Sequence, residues 1–204
     1  VGKATQVIEY NKFSKIYCAN ALGKRFATTL SWQMVKILRQ INSDYDIIHV
    51  HHPDPMAAFA LLLSGYKGKV VLHWHSDILK QRLLLKFFMP LQNWLIKRSD
   101  MIVGTTPVYV AQSPHLRKAQ KKCTYLPIGI EPITYDENKV LSLKNKYKGK
   151  KIIFSLGRLV SYKGYKYLID AAKYLPDNYV VLIGGSGPLK NALQEQIEYD
   201  NLRG

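Results

Sequence analysis

Ile152–Leu193 reads IIFSLGRLVSYKGYKYLIDAAKYLPDNYVVLIGGSGPLKNAL, and this stretch decides the fold. An apolar strand runs into a loop carrying Gly157, Arg158, Lys163 and Gly164, and an amphipathic helix follows. A second apolar strand runs into Gly184-Gly185-Ser186-Gly187-Pro188, where another helix begins. Two strand–loop–helix units in one direction predict a right-handed βαβ crossover and a parallel sheet. Each loop follows the carboxyl end of its strand, the place where open α/β sheets bind ligands. Arg158 and Lys163 offer a forked guanidinium and a mobile ammonium, an efficient clamp for a pyrophosphate. The blander reading makes them surface cations that cap helices or pair with Asp170. In the second loop, glycines let a ligand approach the backbone, and Pro188 suits the first position of a helix. Lys190 stands where a GxGxxG fingerprint needs its last glycine, so a nicotinamide-dinucleotide fold is poorly supported.

Upstream of this stretch the same alternation continues. Short strands are expected at Gln6–Tyr10 and Lys15–Cys18, then a helix over Ser31–Ile41 with Trp32, Val35, Leu38 and Ile41 facing a core. Ile47–His52 reads as a strand broken by Pro53-Asp54-Pro55, and Met56–Leu63 as a buried helix behind Pro55. Val70–His75 is the next strand, followed by a long helix over Ile78–Lys97 interrupted by Pro90. Met101–Val103 and Lys121–Tyr125 complete the strands, with a helix over Val108–Gln112 between them. Buried strands alternating with helices predict a doubly wound α/β layer. Residues 136–150 turn polar and lysine-rich, as a short helix or linker. They separate a first domain, residues 1–135, from a second that opens at residue 151 and runs to 204.

Thirty basic residues against fourteen acidic ones leave a formal charge of +16. Residues 1–150 hold 23 Lys/Arg against 9 Asp/Glu, whereas residues 151–204 hold 7 against 5. The first part is therefore suited to an anionic membrane face, a nucleic acid or a phosphorylated substrate, unless the charge serves solubility alone. Nucleic acid is disfavoured, because neither RNP-like aromatics nor a recognition helix accompanies the charge. The helix Ile78–Arg98, with Lys80, Arg82, Lys86, Lys97 and Arg98 beside a broad apolar face, suits a bilayer surface or the cover of a sheet. Two cysteines, Cys18 and Cys123, give no disulfide framework or zinc motif and fit a reducing cytosol. No signal-peptide pattern opens the chain, and no apolar run approaches the ~20 residues of a membrane span.

Five histidines, His49, His51, His52, His73 and His75, lie towards the ends of two strands. Strand alternation puts His49 and His51 on one face and His52 on the other, with His73 and His75 sharing a face. The cluster thus reads as split, and the expectation is no metal site; a neutral imidazole at a strand end instead suits a sugar hydroxyl or phosphate. Asp44-Tyr45-Asp46 has the look of a metal-binding DxD motif but precedes its strand, so it reads as a solvated turn.

Gly157-Arg158-Leu159-Val160 with Lys163-Gly164, and Ile183-Gly184-Gly185-Ser186-Gly187-Pro188-Leu189, resemble motifs of retaining glycosyltransferases of the GT-B fold, family 4 (glycosyl transferases group 1). Asp46–His51, Trp74-His75-Ser76-Asp77 and Pro127-Ile128-Gly129-Ile130-Glu131 agree, so the resemblance covers roughly residues 44 to 193. It implies two Rossmann-like doubly wound parallel-sheet domains. It assigns Arg158 and Lys163 to the diphosphate of a UDP- or GDP-sugar, and Gly157, Gly184, Gly185 and Gly187 to the nucleotide loop. His75 would line the cleft near the transferred sugar as the catalytic position, with His51 and Asp77 on the acceptor side. The implied reaction is hexosyl transfer with retention to a lipid-linked or polysaccharide acceptor, in the cytoplasm or at the inner membrane face, without metal or cofactor. Fixed cations would stabilise the leaving diphosphate in the metal's place. An epimerase of the same architecture and a non-catalytic anion-binding module are the alternatives. Glu131 stands where the family carries Asp. By the same resemblance, an opening strand and glycine-rich loop belong before Val1 and a paired-glutamate motif after Gly204, so both domains are expected to be incomplete and this chain inactive alone.

Overall fold

The computed structural model describes residues 4–25, 28–78 and 82–202. Two compact units emerge, Val1–Ile130 and Glu131–Gly204.

In the first unit, β1 (Gln6–Asn11) and β2 (Ser14–Cys18) form an antiparallel hairpin, and β3 (Gly23–Arg25) pairs with β4 (Thr28–Leu30). Helix α1 (Trp32–Ile41) starts at Ser31, whose hydroxyl accepts from the Met34 amide and so satisfies an otherwise orphaned donor. Only Val35 of the expected core stripe is fully buried, and Trp32 is 57% exposed. Then follow β5 (Ile47–His52), α2 (Pro55–Ser64), β6 (Lys69–Trp74), α3 (Arg82–Arg98), β7 (Met101–Gly104), α4 (Pro107–Gln112) and β8 (Cys123–Tyr125). Asp54 caps α2 through the amides of Met56 and Ala57, Pro55 sits in its first turn, and Gly65 closes it in the left-handed conformation at φ 74°. Pro90 lies inside α3 without ending it. Lys80, part of the expected basic helix, lies outside the described residues. Lys121 and Lys122 belong to a 3-10 turn over Arg117–Lys122, so β8 is shorter than expected.

The four strands β5-β6-β7-β8 are parallel and lie in sequence order. Right-handed crossovers between strands in sequence order place every crossover helix on the same face. The core shows this: Ala58 and Leu61 of α2 and Leu95 and Ile96 of α3 pack on Val50, Val70, Leu72, Trp74 and Ile102. The opposite face carries Ile47, His49, His51, Val71, His73, Met101 and Val103, because parallel register partners point the same way. The described strands therefore form a singly wound layer, and the reversal of strand order that makes a doubly wound sheet does not occur among them.

The second unit opens with α5 (Glu137–Lys146), capped by Asp136, within the stretch read as helix or linker. Strands β9 (Lys151–Leu156) and β10 (Tyr179–Gly184) pair in parallel, with Lys151 opposite Tyr179 and Leu156 opposite Gly184. Helices α6 (Tyr165–Ala172) and α7 (Lys190–Tyr199) bury Leu159, Tyr165, Ile169 and Leu193 between them. Ile152, Phe154 and Leu156, alternating along β9, remain exposed on the face away from that core.

Candidate functional site

The register of β9 and β10 ends both strands side by side, and the loops beyond them continue the ladder. Gly157 donates its amide to the Gly184 carbonyl at 3.0 Å, Leu159 to Ser186 at 2.8 Å, and Leu189 to Leu159 at 3.2 Å. This close approach explains the glycines. A Cβ on Gly185 would stand 1.9 Å from the Gly157 oxygen, and one on Gly187 would stand 2.4 Å from the Leu159 oxygen. Their φ angles, 138° and 158°, are ones that L side chains rarely adopt. A Cβ on Gly157 would meet the Tyr165 hydroxyl at 2.6 Å, and one on Gly184 would press on the Leu156 side chain at 3.0 Å. The sequence reading gave the glycines to ligand access; their first requirement is one loop packing on the other.

What remains open is a cleft of about 490 Å³, lined by Gly157, Arg158, Gly185, Ser186, Gly187 and Pro188. Leu159 is buried, whereas its neighbour Arg158 is exposed at the cleft wall. The amides of Gly185, Ser186 and Gly187 have no hydrogen-bond partner among the described residues. Asp170 binds Lys173 at 3.3 Å and Gln196 at 2.9 Å, so the alternative pairing of Arg158 or Lys163 with Asp170 is not formed. Lys163 does not line the cleft. It ends a 3-10 turn at Ser161–Lys163, with Nζ 5.8 Å from the Tyr162 ring centre, just before Gly164 opens α6 in the left-handed conformation. Pro188 precedes α7 in a turn and does not occupy its first position, because the helix begins at Lys190 behind Leu189. Ser186, the remaining cleft residue, carries no sequence signal beyond its place among the glycines.

In the first unit, β5, β6 and the residue that follows β6 bring four histidines together on the face opposite the crossover helices. Register pairs His51 with His73 and His52 with Trp74. Ring centres are 4.7 Å apart for His49–His51, 5.2 Å for His51–His73 and 4.1 Å for His73–His75. Nδ1 of His51 lies 2.7 Å from Nε2 of His75. His52 leaves the cluster, as strand alternation requires, and the register brings the His49–His51 pair beside His73 and His75. Burial first, and neighbouring imidazoles second, hold His49, His73 and His75 below the ordinary histidine range. His52 lies in the core, stacked 3.7 Å from Trp74 with its Nε2 3.2 Å from Gln92, and burial lowers it to about 4.

One carboxylate oxygen of Asp77 is committed within the fold. Its Oδ1 accepts from the Trp74 indole at 2.8 Å and from the Ser113 hydroxyl at 2.9 Å, and its amide donates to the Tyr109 hydroxyl. It ties the end of β6 to α4, and Tyr109 and Ser113, which the sequence did not single out, complete that anchor.

Parallel strands with crossover helices in each unit, and a cation beside unpaired amides at the strand ends of the second, define a Rossmann-like α/β protein. The solved structure of Anabaena HepE with UDP and glucose matches with a TM-score of 0.65 at 15% identity, over 85% of this chain and 49% of that one. Sucrose-phosphate synthase from Thermosynechococcus elongatus matches at 0.63 and 16% identity, over 96% and 54%. These likenesses give the fold, which is GT-B. The description Glycosyltransferase Family 4 matches residues 5–132, and Glycosyl transferases group 1 matches residues 137–204. The chain belongs to Glycosyltransferase Family 4. It is 33% identical to O-antigen chain mannosyltransferase C of Escherichia coli, over 98% of this chain and 53% of that protein. Its identity to D-rhamnosyltransferase WbpZ of Pseudomonas aeruginosa is 30%, over 87% and 46%. The chain thus spans about half the length of the curated relatives it matches.

Proposed function

We propose that the protein transfers a hexosyl unit from a UDP- or GDP-sugar to a lipid-linked or polysaccharide acceptor, with retention, in the synthesis of a surface polysaccharide. The observation that carries this reading is the cleft at the ends of β9 and β10, where an exposed guanidinium faces three unpaired amides. A diphosphate needs such a set: a planar fork for two oxygens and backbone donors for the others. The relatives' names, a mannosyltransferase and a D-rhamnosyltransferase, support the transferred group and the polysaccharide product, and UDP in a structural neighbour supports the donor class. Arg158 takes the diphosphate, and Lys163 joins it by turning its flexible chain from the adjacent 3-10 turn.

As the sugar leaves, charge builds on the diphosphate, and fixed cations and amides stabilise it without a bridging metal. His75, at the end of β6, serves the transferred sugar, with His51 hydrogen-bonded beside it and Asp77 holding the strand end. The basic excess of residues 1–150 suits a reaction reached peripherally at the anionic inner face of a membrane.

Calorimetric titration of the protein with UDP, GDP and their hexose derivatives tests this reading. Arg158→Ala should weaken binding by roughly tenfold or more, as loss of a charge-assisted pair costs about 1.5–3 kcal/mol. Unchanged affinity in that variant would remove Arg158 from the site and the reading with it.

A further inference from the structure

On the first unit's sheet face opposite the crossover helices, one ring nitrogen from each of His49, His51 and His73 lies within 4.8 Å of the others. His73 is only 8% exposed, yet neither of its ring nitrogens has a hydrogen-bond partner among the described residues. Buried polar atoms without partners are destabilising, and natural cores pair them or use them. Water, a carboxylate or a metal ion could meet that need in general. Among the described residues the ligand atoms that converge here come from histidines alone, with no carboxylate in the group.

We propose that His49, His51 and His73 form a site for one borderline divalent transition-metal ion of the zinc, cobalt or nickel type. Imidazole nitrogens suit these ions, whereas magnesium and calcium require oxygen ligands. Metal–nitrogen bonds of ~2.0–2.1 Å put tetrahedral ligand atoms about 3.3 Å apart. The present 4.8 Å spacing therefore closes by rotation of His49 and His51, both exposed, while His73 stays fixed in the sheet. His51 approaches His75 through Nδ1, leaving its Nε2 for the ion. That arrangement, a ligand histidine whose second nitrogen is held by a neighbour, fixes the tautomer of both rings. With His51 donating from Nδ1, His75 accepts at Nε2 and carries its own proton on Nδ1. The ion would tie β5 to β6 and set the tautomer of the strand-end histidine. Its ligands all belong to the first unit, whereas Arg158 belongs to the second.

Titration of chelator-stripped protein with Co²⁺ and Zn²⁺ tests the site, by visible absorption for the first and calorimetry for the second. One equivalent of Co²⁺ should bind with the intense d–d bands of a low-coordinate nitrogen site. His49→Gln, an exposed change, should weaken both ions by at least tenfold, since loss of even an outer partner costs ~10–100-fold. His115→Gln, outside the cluster, should leave them unchanged. His73→Ala should abolish the bands, with circular dichroism confirming that the variant folds. Binding that is absent, or equally strong in His49→Gln, would overturn the proposal.

Discussion

Gly185→Ala tests the loop packing on which the cleft depends. The new Cβ would stand 1.9 Å from the Gly157 oxygen, and the neighbour is backbone, so no side chain can swing aside. Backbone held at φ 138° costs a non-glycine residue about 1–3 kcal/mol. Separating the loops also lengthens the bonds from Gly157 to Gly184 and from Leu159 to Ser186, each about 1 kcal/mol. Together the loss is about 3–5 kcal/mol. That rivals the whole stability of a unit this size, at ~0.05–0.15 kcal/mol per residue. All three tryptophans, Trp32, Trp74 and Trp94, lie in the first unit, so fluorescence follows that unit while circular dichroism follows both. Urea titration of Gly185→Ala should move the dichroism transition of the second unit and leave the fluorescence transition in place. Gly129→Ala, where an added Cβ meets nothing within 4 Å, should change neither by more than about 0.5 kcal/mol. A loss below about 1 kcal/mol in Gly185→Ala would refute the packing argument.

Two further outcomes follow from the first unit. His52 has a folded value of about 4 against 6.5 unfolded, so its contribution is complete above pH 6.5 and is lost as pH falls through 4. Urea stability should drop by about 3 kcal/mol from this group over that window, with the lowered His49, His73 and His75 adding in the same direction. His52→Phe should flatten the slope, and an unchanged slope would deny that His52 carries it. Asp77→Asn keeps an oxygen for the Trp74 indole and Ser113, whereas Asp77→Ala leaves both donors unpaired. The alanine variant should lose about 2–3 kcal/mol by thermal or urea unfolding and the asparagine variant well under half of that; equal losses would make the anchor electrostatic.

The alternation of apolar runs, with Pro53-Asp54-Pro55 ahead of a buried helix, made the α/β layer legible, because breaks and periodicity are local. Register is not local. Nothing in His49–His52 or His73–His75 says that His51 will lie beside His73, and that single pairing brings two histidine pairs into one group of four. The glycines were visible as a loop, but their cause, the carbonyls of Gly157 and Leu159 in the neighbouring loop, belongs to tertiary structure. Trp32 and Pro188 were placed by helical spacing and by proline's preference for a first turn. Each lost to context, one to exposure and the other to a turn that starts the helix two residues later. Asp77 stood out as a carboxylate in a motif, yet its bonds to Trp74 and Ser113 could not be read before α4 was packed against β6.

The continuation of the β9–β10 ladder into its loops also bears on how the second unit folds. Joining Gly157 to Gly184 closes a chain segment of about 27 residues, and the entropy of that closure is met once, when the strands pair. The Leu159–Ser186 bond then forms as the next rung at little additional loop cost. Cleft formation is therefore the last step of strand zipping, and mutations that slow the pairing of β9 with β10 should delay the appearance of the binding surface to the same degree.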